Sequence, residues 1–589
     1  MNSQTYIPGK DATVEETIDR TNSILTKIGF PVEPVTWLNP APHCWSVHIR
    51  STDCEHLYTN GKGTTKSACL ASGLGEFMER LSTNFFFSDY SLDNYHHGSP
   101  FMFFPDEKWF PFEDKDQLAN SFSGGPGFLN EHLLNIYDPE DELTADHLRD
   151  NNSDDPDRGI CCLPFSEINS EHTVYFPVGI LNNLYVSNGM AAGNSRNECY
   201  SQALSEIIER YVKNLVISKG ISLPSVPDKV LKNYPGVVSI LEQLRNHEME
   251  IMVKDCSLGG RFPVICVLLA HPLSGGVFAA FGASYRFETA IERTLTELLQ
   301  GRRLSQLTSF TPPVHDLSLV ADTFNLESHF IDSDGLLSWN MFKTVADYPF
   351  TPWDFTGSTQ KEFDLLKNLI VSNGYQIYSA DYTHCGMDTC RIIVPGMSEI
   401  YPVDDLLWNN KNSSNDIRKD LLRLLTMNDY ELMNFIARLE SAGLNDQSLI
   451  SDLIGIAFDP NSSWYSFSVG ELKTQIFLAL QKHDEASSWC NWCYDHTNLP
   501  PERKRLYRLL YTLLNFKLKG ETSSEYTGGV KMFFSEKEIQ EAESIIAGKA
   551  KFHGLIFANT WQDISKAHNN LIDMYERLNT VKKQPFSCS

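Results

Sequence analysis

The sequence has no apolar stretch long enough to cross a bilayer. Its longest uninterrupted apolar run, Val264 to Ala270, falls far below the roughly 20 residues that a membrane span needs. The beginning, MNSQTYIPGKDATVEE, lacks the basic, apolar and small-residue succession of an export signal, so a cytoplasmic protein is expected. Positive charge is scarce too: 49 Lys and Arg against 75 Asp and Glu leave a formal charge of −26. With no general basic surface to displace phosphate counterions, bulk nucleic-acid binding is not expected. The 13 cysteines follow no framework spacing and fit reduced thiols. A single CxxC, Cys490 to Cys493 with His496 beyond it, has no second CxxC to complete a zinc site. Helix packing is its expected role. His96 and His97 are adjacent and cannot share a strand or helix face, so they are expected in a loop without a metal. The pattern GxxxxGK[ST] is missing as well. Lys62 stands between Gly61 and Gly63, and no glycine precedes Lys66, so this likeness to a phosphate loop is a false one.

What the chain does have is an unusual distribution of glutamates. With 589 residues, 42% hydrophobic and 21% charged, it is ordinary globular material for more than one domain. The stretch from Gly193 to Arg210, GNSRNECYSQALSEIIER, reads as a glycine turn feeding a helix. Glu198, Gln202, Glu206 and Glu209 fall within an arc of roughly 80° on that helix, with Arg210 at its edge. Ala203, Leu204, Ile207 and Ile208 form the opposite, core-facing stripe. Stacked carboxylates destabilise a helix unless something positive answers them, and a divalent metal is the simplest candidate.

The pattern recurs. Gly63 to Arg80, GTTKSACLASGLGEFMER, aligns without a gap, so that Glu76, Glu79 and Arg80 match Glu206, Glu209 and Arg210. In a weaker third copy, Arg293, Glu297 and Gln300 take the places of Gln202, Glu206 and Glu209. Apolar, strand-like stretches precede each copy: WSVHI and HLYTNG, then VYFPVGILNNLYVSNG, then PVICVLLA and GGVFAAFGA. The predicted fold class is α+β, with repeated strand–strand–helix units whose polar helix faces converge on a site. At the N-terminus a helix is expected from about Ala12 to Ile28, with Thr13 and Glu16 as a capping box. The residues Asn60-Gly61-Lys62-Gly63 read as a turn. The texture changes after Pro402. Paired amphipathic helices, around Gly470–His496 and Pro501–Leu518, suggest an all-α tetratricopeptide-like domain. Two domains are therefore expected, 1–403 and 404–589. Deletion of the second is expected to leave the site of the first working.

The motifs Ser72-x3-Glu76-x2-Glu79-Arg80 and Glu198-x3-Gln202-x3-Glu206-x2-Glu209-Arg210 resemble those of the YcaO superfamily. The resemblance extends through YIPGK, NGKG, LYVSNG, RTLTELLQGR and CRIIVPGMS over nearly the whole chain. It implies a non-P-loop fold that binds ATP and Mg2+. By motif position, Glu76, Glu79, Glu206 and Glu209 would be the metal-side carboxylates. Lys10, Thr17, Ser72, Asn194, Glu198, Gln202, Arg210 and Arg293 would contact the nucleotide or orient those ligands. Thr17 stands where a member of the family has a serine. The resemblance further implies ATP-dependent activation of a peptide or protein backbone amide by phosphorylation of its oxygen. It also implies an accessory role in methylthiolation of a small-subunit ribosomal protein beside a radical methylthiotransferase, and a homodimer.

One departure stands out. Azole-forming members end in a proline-rich PxPxP tail, whereas this sequence ends KKQPFSCS, with Pro585 alone. An adaptor that binds ATP without catalysis and recruits a modification enzyme through its helical tail is thus the competing expectation. A carboxylate di-metal enzyme is disfavoured, because neither glutamate helix carries Glu-x-x-His.

Overall fold

The structure is a computed structural model that describes residues 4–92, 95–96, 99–110, 129–153, 155–170, 172–247, 249–307, 310–497, 499–521 and 525–584. His97 and the chain end from Pro585 lie outside them.

Helix α1 (Val14–Lys27) begins at Thr13, whose side chain accepts from Glu16 N while the Glu16 carboxylate accepts from Thr13 N, closing the capping box. Three antiparallel strands follow, β1 (Val32–Ala41), β2 (Cys44–Ser51) and β3 (Tyr58–Gly63), with β2 in the middle. Helix α2 (Lys66–Ser82) returns across β3. Tyr95–His96 pairs with Ser99–Pro100, so His96 lies in a short strand and not in the expected loop. The longer strands that follow are β4 (Lys108–Phe110), β5 (Ile160–Glu167), β6 (Thr173–Pro177) and β7 (Met190–Gly193), the last leading into helix α3 (Arg196–Lys219). A second three-stranded sheet, β8 (Glu250–Asp255), β9 (Val264–Ala270) and β10 (Val277–Ala283), is followed by helix α4 (Phe287–Leu298). Helix α5 (Thr359–Ser372) precedes β11 (Tyr378–Tyr382) and β12 (Asp388–Ile393). These two complete a third sheet in the order β4-β5-β11-β12-β7, with β6 on β5.

The apolar run in β9 owes its continuity to burial on both faces. Val264, Cys266 and Leu268 join the core beneath α3, whereas Ile265, Val267 and Leu269 join the core beneath α4. A strand covered on both sides has no polar alternation to keep.

Two further sequence expectations change. The segment after β6 is not extended: Val178–Ile180 and Leu181–Tyr185 are helical turns, and Val178, Gly179, Ile180 and Leu181 are all buried. A short apolar run surrounded by core carries no period that separates strand from helix. The residues Asn60 to Gly63 are not a turn either, but the second half of β3.

Beyond residue 404 the described chain is helical, with α6 (Asp429–Ser441), α7 (Val469–Ala479), α8 (His483–His496), α9 (Pro501–Leu518), α10 (Glu536–Ile546) and α11 (Lys566–Lys583) the longer elements. Cys490 and Cys493 are buried on α8, and Thr474 Oγ1 lies 3.2 Å from Cys493 Sγ. Helices α6 to α10 pack around a core of their own. Helix α11 does not join it. Leu571, Met574, Tyr575 and Leu578 sit in the core shared by α1, β2, α2 and β5. Tyr575 Oη donates to Met102 O, Lys582 Nζ donates to Asn84 Oδ1 (2.6 Å), and Arg577 pairs with Asp53 (2.7 Å). The expectation that deletion from residue 404 leaves the site of the first domain working stands against this packing, because α11 belongs to the core that carries α2. An amphipathic pattern shows that a helix has a partner, but not which one.

Candidate functional site

Helices α2, α3 and α4 each lie close against a preceding strand, and glycine makes two of those approaches possible. A Cβ on Gly61 in β3 would sit 2.3 Å from Cys69 O of α2; one on Gly282 in β10 would sit 2.4 Å from Thr294 Oγ1 and 2.8 Å from Ala290 O of α4. Helix α2 starts at Thr65, which accepts from Ala68 N, and α3 at Ser195, which accepts from Glu198 N. So fixed, the three helices turn their polar faces to one cleft of about 490 Å3.

All twelve residues singled out from the sequence line this cleft: Lys10, Thr17, Ser72, Glu76, Glu79, Asn194, Glu198, Gln202, Glu206, Glu209, Arg210 and Arg293. Glu198, buried, anchors one end. Its carboxylate accepts from Lys10 Nζ (3.1 Å), Asp11 N (2.9 Å) and Asn194 Nδ2 (3.3 Å). Thr17 Oγ1 donates to Thr13 O (2.8 Å) and Asn194 Oδ1 (3.2 Å). Across the cleft the two copies match: Arg80 pairs with Glu76 at 3.3 Å, and Arg210 with Glu206 at 2.7 Å. Arg80 Nε also stands 3.5 Å from Glu79. Glu209 accepts from Ala283 N (3.1 Å), while Arg293 donates to Ala283 O (3.3 Å) and to Gln202 Oε1.

The carboxylates crowd one another. Burial raises the Glu79 pKa well above the ordinary carboxylate range; Arg80 opposes this, and the charges of Glu206 and Glu76 add to it. Glu209 is raised by burial against the pull of Lys62 and Arg210. A cation among these groups would relieve both.

The lining holds carboxylates from four helices, α2 to α5, and neither histidine nor cysteine among the described residues. That donor set suits a hard divalent ion. Among the described residues, no three His, Cys, Asp or Glu side chains are gathered closely enough to hold a metal. Arg80 and Arg210 instead occupy Glu76 and Glu206.

Sequence inspection passed over Lys62, Arg286 and Glu362 as site residues, and read Glu297 and Gln300 only as parts of the weaker third copy. Lys62, set aside with the false phosphate loop, pairs with Glu297 inside the cleft. Its neighbours in the motif, Gly61 and Gly63, were the available signal. Gln300 Nε2 donates to Asn60 O (2.6 Å), joining α4 to β3. Arg286 and Glu362, paired at 3.2 Å across 76 positions of sequence, gave no local signal at all.

A profile of the YcaO cyclodehydratase family, described as ATP- and Mg2+-binding, matches residues 60–398, and one of the YcaO cyclodehydratase C-terminal domain matches 414–584. The chain belongs to the YcaO family. ATP and Mg2+ are the cofactors by which that family is described. The chain is 44% identical to the ribosomal protein S12 methylthiotransferase accessory factor YcaO of Escherichia coli, over 98% of this chain and 99% of that one. It is 41% identical to an uncharacterized protein of Haemophilus influenzae, over 99% and 100%. A solved YcaO from Methanopyrus kandleri, bound with AMPPCP and Mg2+, matches at 18% identity with a TM-score of 0.41, covering 67% of this chain and 95% of that one.

Proposed function

We propose that this cleft binds ATP with Mg2+ and activates a backbone amide of a peptide or protein by phosphorylating its oxygen. The observation that carries the proposal is the meeting of two matched Glu-x-x-Glu-Arg helices with Arg293 and Lys10 in one cleft. Glu76, Glu79, Glu206 and Glu209 would hold the metal. Bound Mg2+ would supply positive charge between these carboxylates and the phosphates. Arg80 and Arg210, now spent on Glu76 and Glu206, would be released toward phosphate oxygens as the metal takes those carboxylates. Arg293 would stabilise charge on the transferring phosphoryl group, held in place by Gln202 and Ala283 O. Lys10, Thr17, Ser72, Asn194 and Glu198 would position the nucleotide, with the Glu198 network fixing the N-terminal segment over the cleft. An amide oxygen is a poor leaving group, and its phosphorylation makes it a good one.

By likeness to the Escherichia coli relative, the substrate is a small-subunit ribosomal protein, and the partner is a methylthiotransferase that this chain assists. The strand–helix units of residues 1–403, with α11 packed into their core, form the ATP domain. The helical hairpins after 404 form a tetratricopeptide-like surface for a partner or second subunit in a cytoplasmic homodimer. Among the described residues, no helix is long and apolar enough to cross a membrane.

Calorimetric titration with ATP, with and without Mg2+, tests the proposal. Glu76→Ala and Glu206→Ala are each expected to abolish Mg2+-dependent binding with the unfolding temperature maintained. Unchanged affinity in both would sink it. Binding without multiple turnover in the presence of the ribosomal substrate would favour the adaptor.

A further inference from the structure

Eight glutamates line the cleft, and seven of them have partners already described: Arg80 for Glu76 and Glu79, Lys10 for Glu198, Arg210 for Glu206, Ala283 N for Glu209, Lys62 for Glu297 and Arg286 for Glu362. The eighth is Glu292, in the middle of α4 and directly before Arg293. Its backbone carbonyl accepts from Thr296 Oγ1 at 2.8 Å. Among the described residues, its carboxylate meets no hydrogen-bond donor and no cation. A half-buried carboxylate without a partner is costly, and the fold retains it beside an arginine that stabilises the outgoing charge. Structural carboxylates in this cleft are tied down. This one is free to exchange a proton.

We propose that Glu292 is the proton acceptor of the cleft, a catalytic residue that takes the proton of the nucleophile as it adds to the amide whose oxygen ATP then phosphorylates. The inference rests on the ATP-dependent amide activation proposed above. The nucleophile is of the thiol, amine or hydroxyl class. Its X–H bond breaks with the proton passing to a Glu292 carboxylate oxygen, and an X–C bond forms at the amide carbon. The carbonyl π pair moves onto oxygen, which bonds to the γ-phosphorus as the bond to the ADP oxygen breaks. Phosphate later leaves with the C–O pair.

The electrostatics fit the task. Burial and the charge of Glu288 on the same helix push the Glu292 carboxyl up to about 7, near the value at which a general base works best at neutral pH. The other titratable group facing it is Cys44 at the start of β2, whose thiol burial keeps protonated, with Glu292 raising it further. Phosphates entering the cleft would raise the Glu292 pKa again, since like charges disfavour ionisation. Binding of MgATP near pH 7 therefore draws a fraction of a proton onto this residue, and turnover proceeds through the fraction of the bound form that stays ionised.

The test uses the full chain, MgATP and calorimetry at pH 7 in two buffers of different ionisation enthalpy. The wild type is expected to take up more protons on binding than Glu292→Gln, by up to about half a proton for a group titrating near the working pH. ATP turnover by the wild type at saturating MgATP should rise with pH above about 7, as Glu292 ionises in the bound form. Glu292→Gln should lose that rise and fall by about 100-fold or more, while Glu292→Asp keeps the rise. Equal proton uptake by wild type and Glu292→Gln, both binding MgATP with unchanged affinity, overturns the assignment and leaves the ATP site standing. Failure of both to bind MgATP overturns the site itself. Thermal unfolding of Glu292→Gln, expected at or above the wild-type temperature, separates a lost proton acceptor from a damaged fold.

Discussion

Removal of the last helix should unfold the nucleotide half, although every candidate ATP residue lies more than 250 positions earlier. Leu571, Met574 and Leu578 of α11 are at most 1% exposed and belong to the same core as Phe77, Met78 and Leu81 of α2. Full burial of such a side chain contributes about 1.5–3 kcal/mol, so the three together contribute roughly 5–9 kcal/mol. The Tyr575 ring, stacked on Phe101 at 5.3 Å and against Phe87 at 5.0 Å, adds to that. A domain is stable by only about 5–15 kcal/mol in all. A chain ending at residue 565 should therefore be aggregated or molten and show no MgATP binding by calorimetry. Leu578→Ala offers a graded version. It should lower the stability of the full chain by about 2–5 kcal/mol, read from urea unfolding, with a parallel loss of fully competent binding sites. A soluble 1–565 fragment that binds MgATP with wild-type affinity would refute the reasoning.

Other consequences follow from single side chains. Lys582 is buried against Phe104 and Tyr575, and burial depresses its pKa from 10.5 to about 7. Because the unfolded chain binds this proton more readily, stability should be complete above about 10.5 and fall by up to about 1.4 kcal/mol per unit as pH drops toward 7. Urea titrations across that range should lose this slope in Lys582→Met. In the helical tail, Arg503→Ala removes the 2.6 Å partner of the fully buried Glu471 and should cost about 3–5 kcal/mol by denaturant unfolding. Gly61→Ala places a Cβ against the backbone of α2, the helix that carries Ser72, Glu76 and Glu79. It should cost about 1–3 kcal/mol or more and weaken MgATP binding.

The sequence by itself determined much of the site, because the site is written in local periods. Glutamates at helical spacing, twice in register with Arg80 and Arg210, mark the faces that meet in the cleft, and no longer-range information is needed to see that they share a face. The capping box at Thr13 and Glu16 is equally local. Tertiary structure decided what depends on neighbours. The Asn60 to Gly63 letters fit a turn, yet they form a strand because α2 lies so close that only glycine leaves room at Gly61. The segment from Val178 to Tyr185 could not be told from a strand, since burial on all sides removes the polar half of any period. Arg286 and Glu362 come together only when α5 is laid beside the start of α4. Glu292 is one acid among 75 Asp and Glu in the sequence. Its distinction is to line the cleft with no partner, and absence of a partner is a property of packing that no spacing can record. The placement of α11 belongs to the same class. Only the fold matches its apolar side chains, Leu571, Met574 and Leu578, to α2 rather than to the helices beside it in sequence.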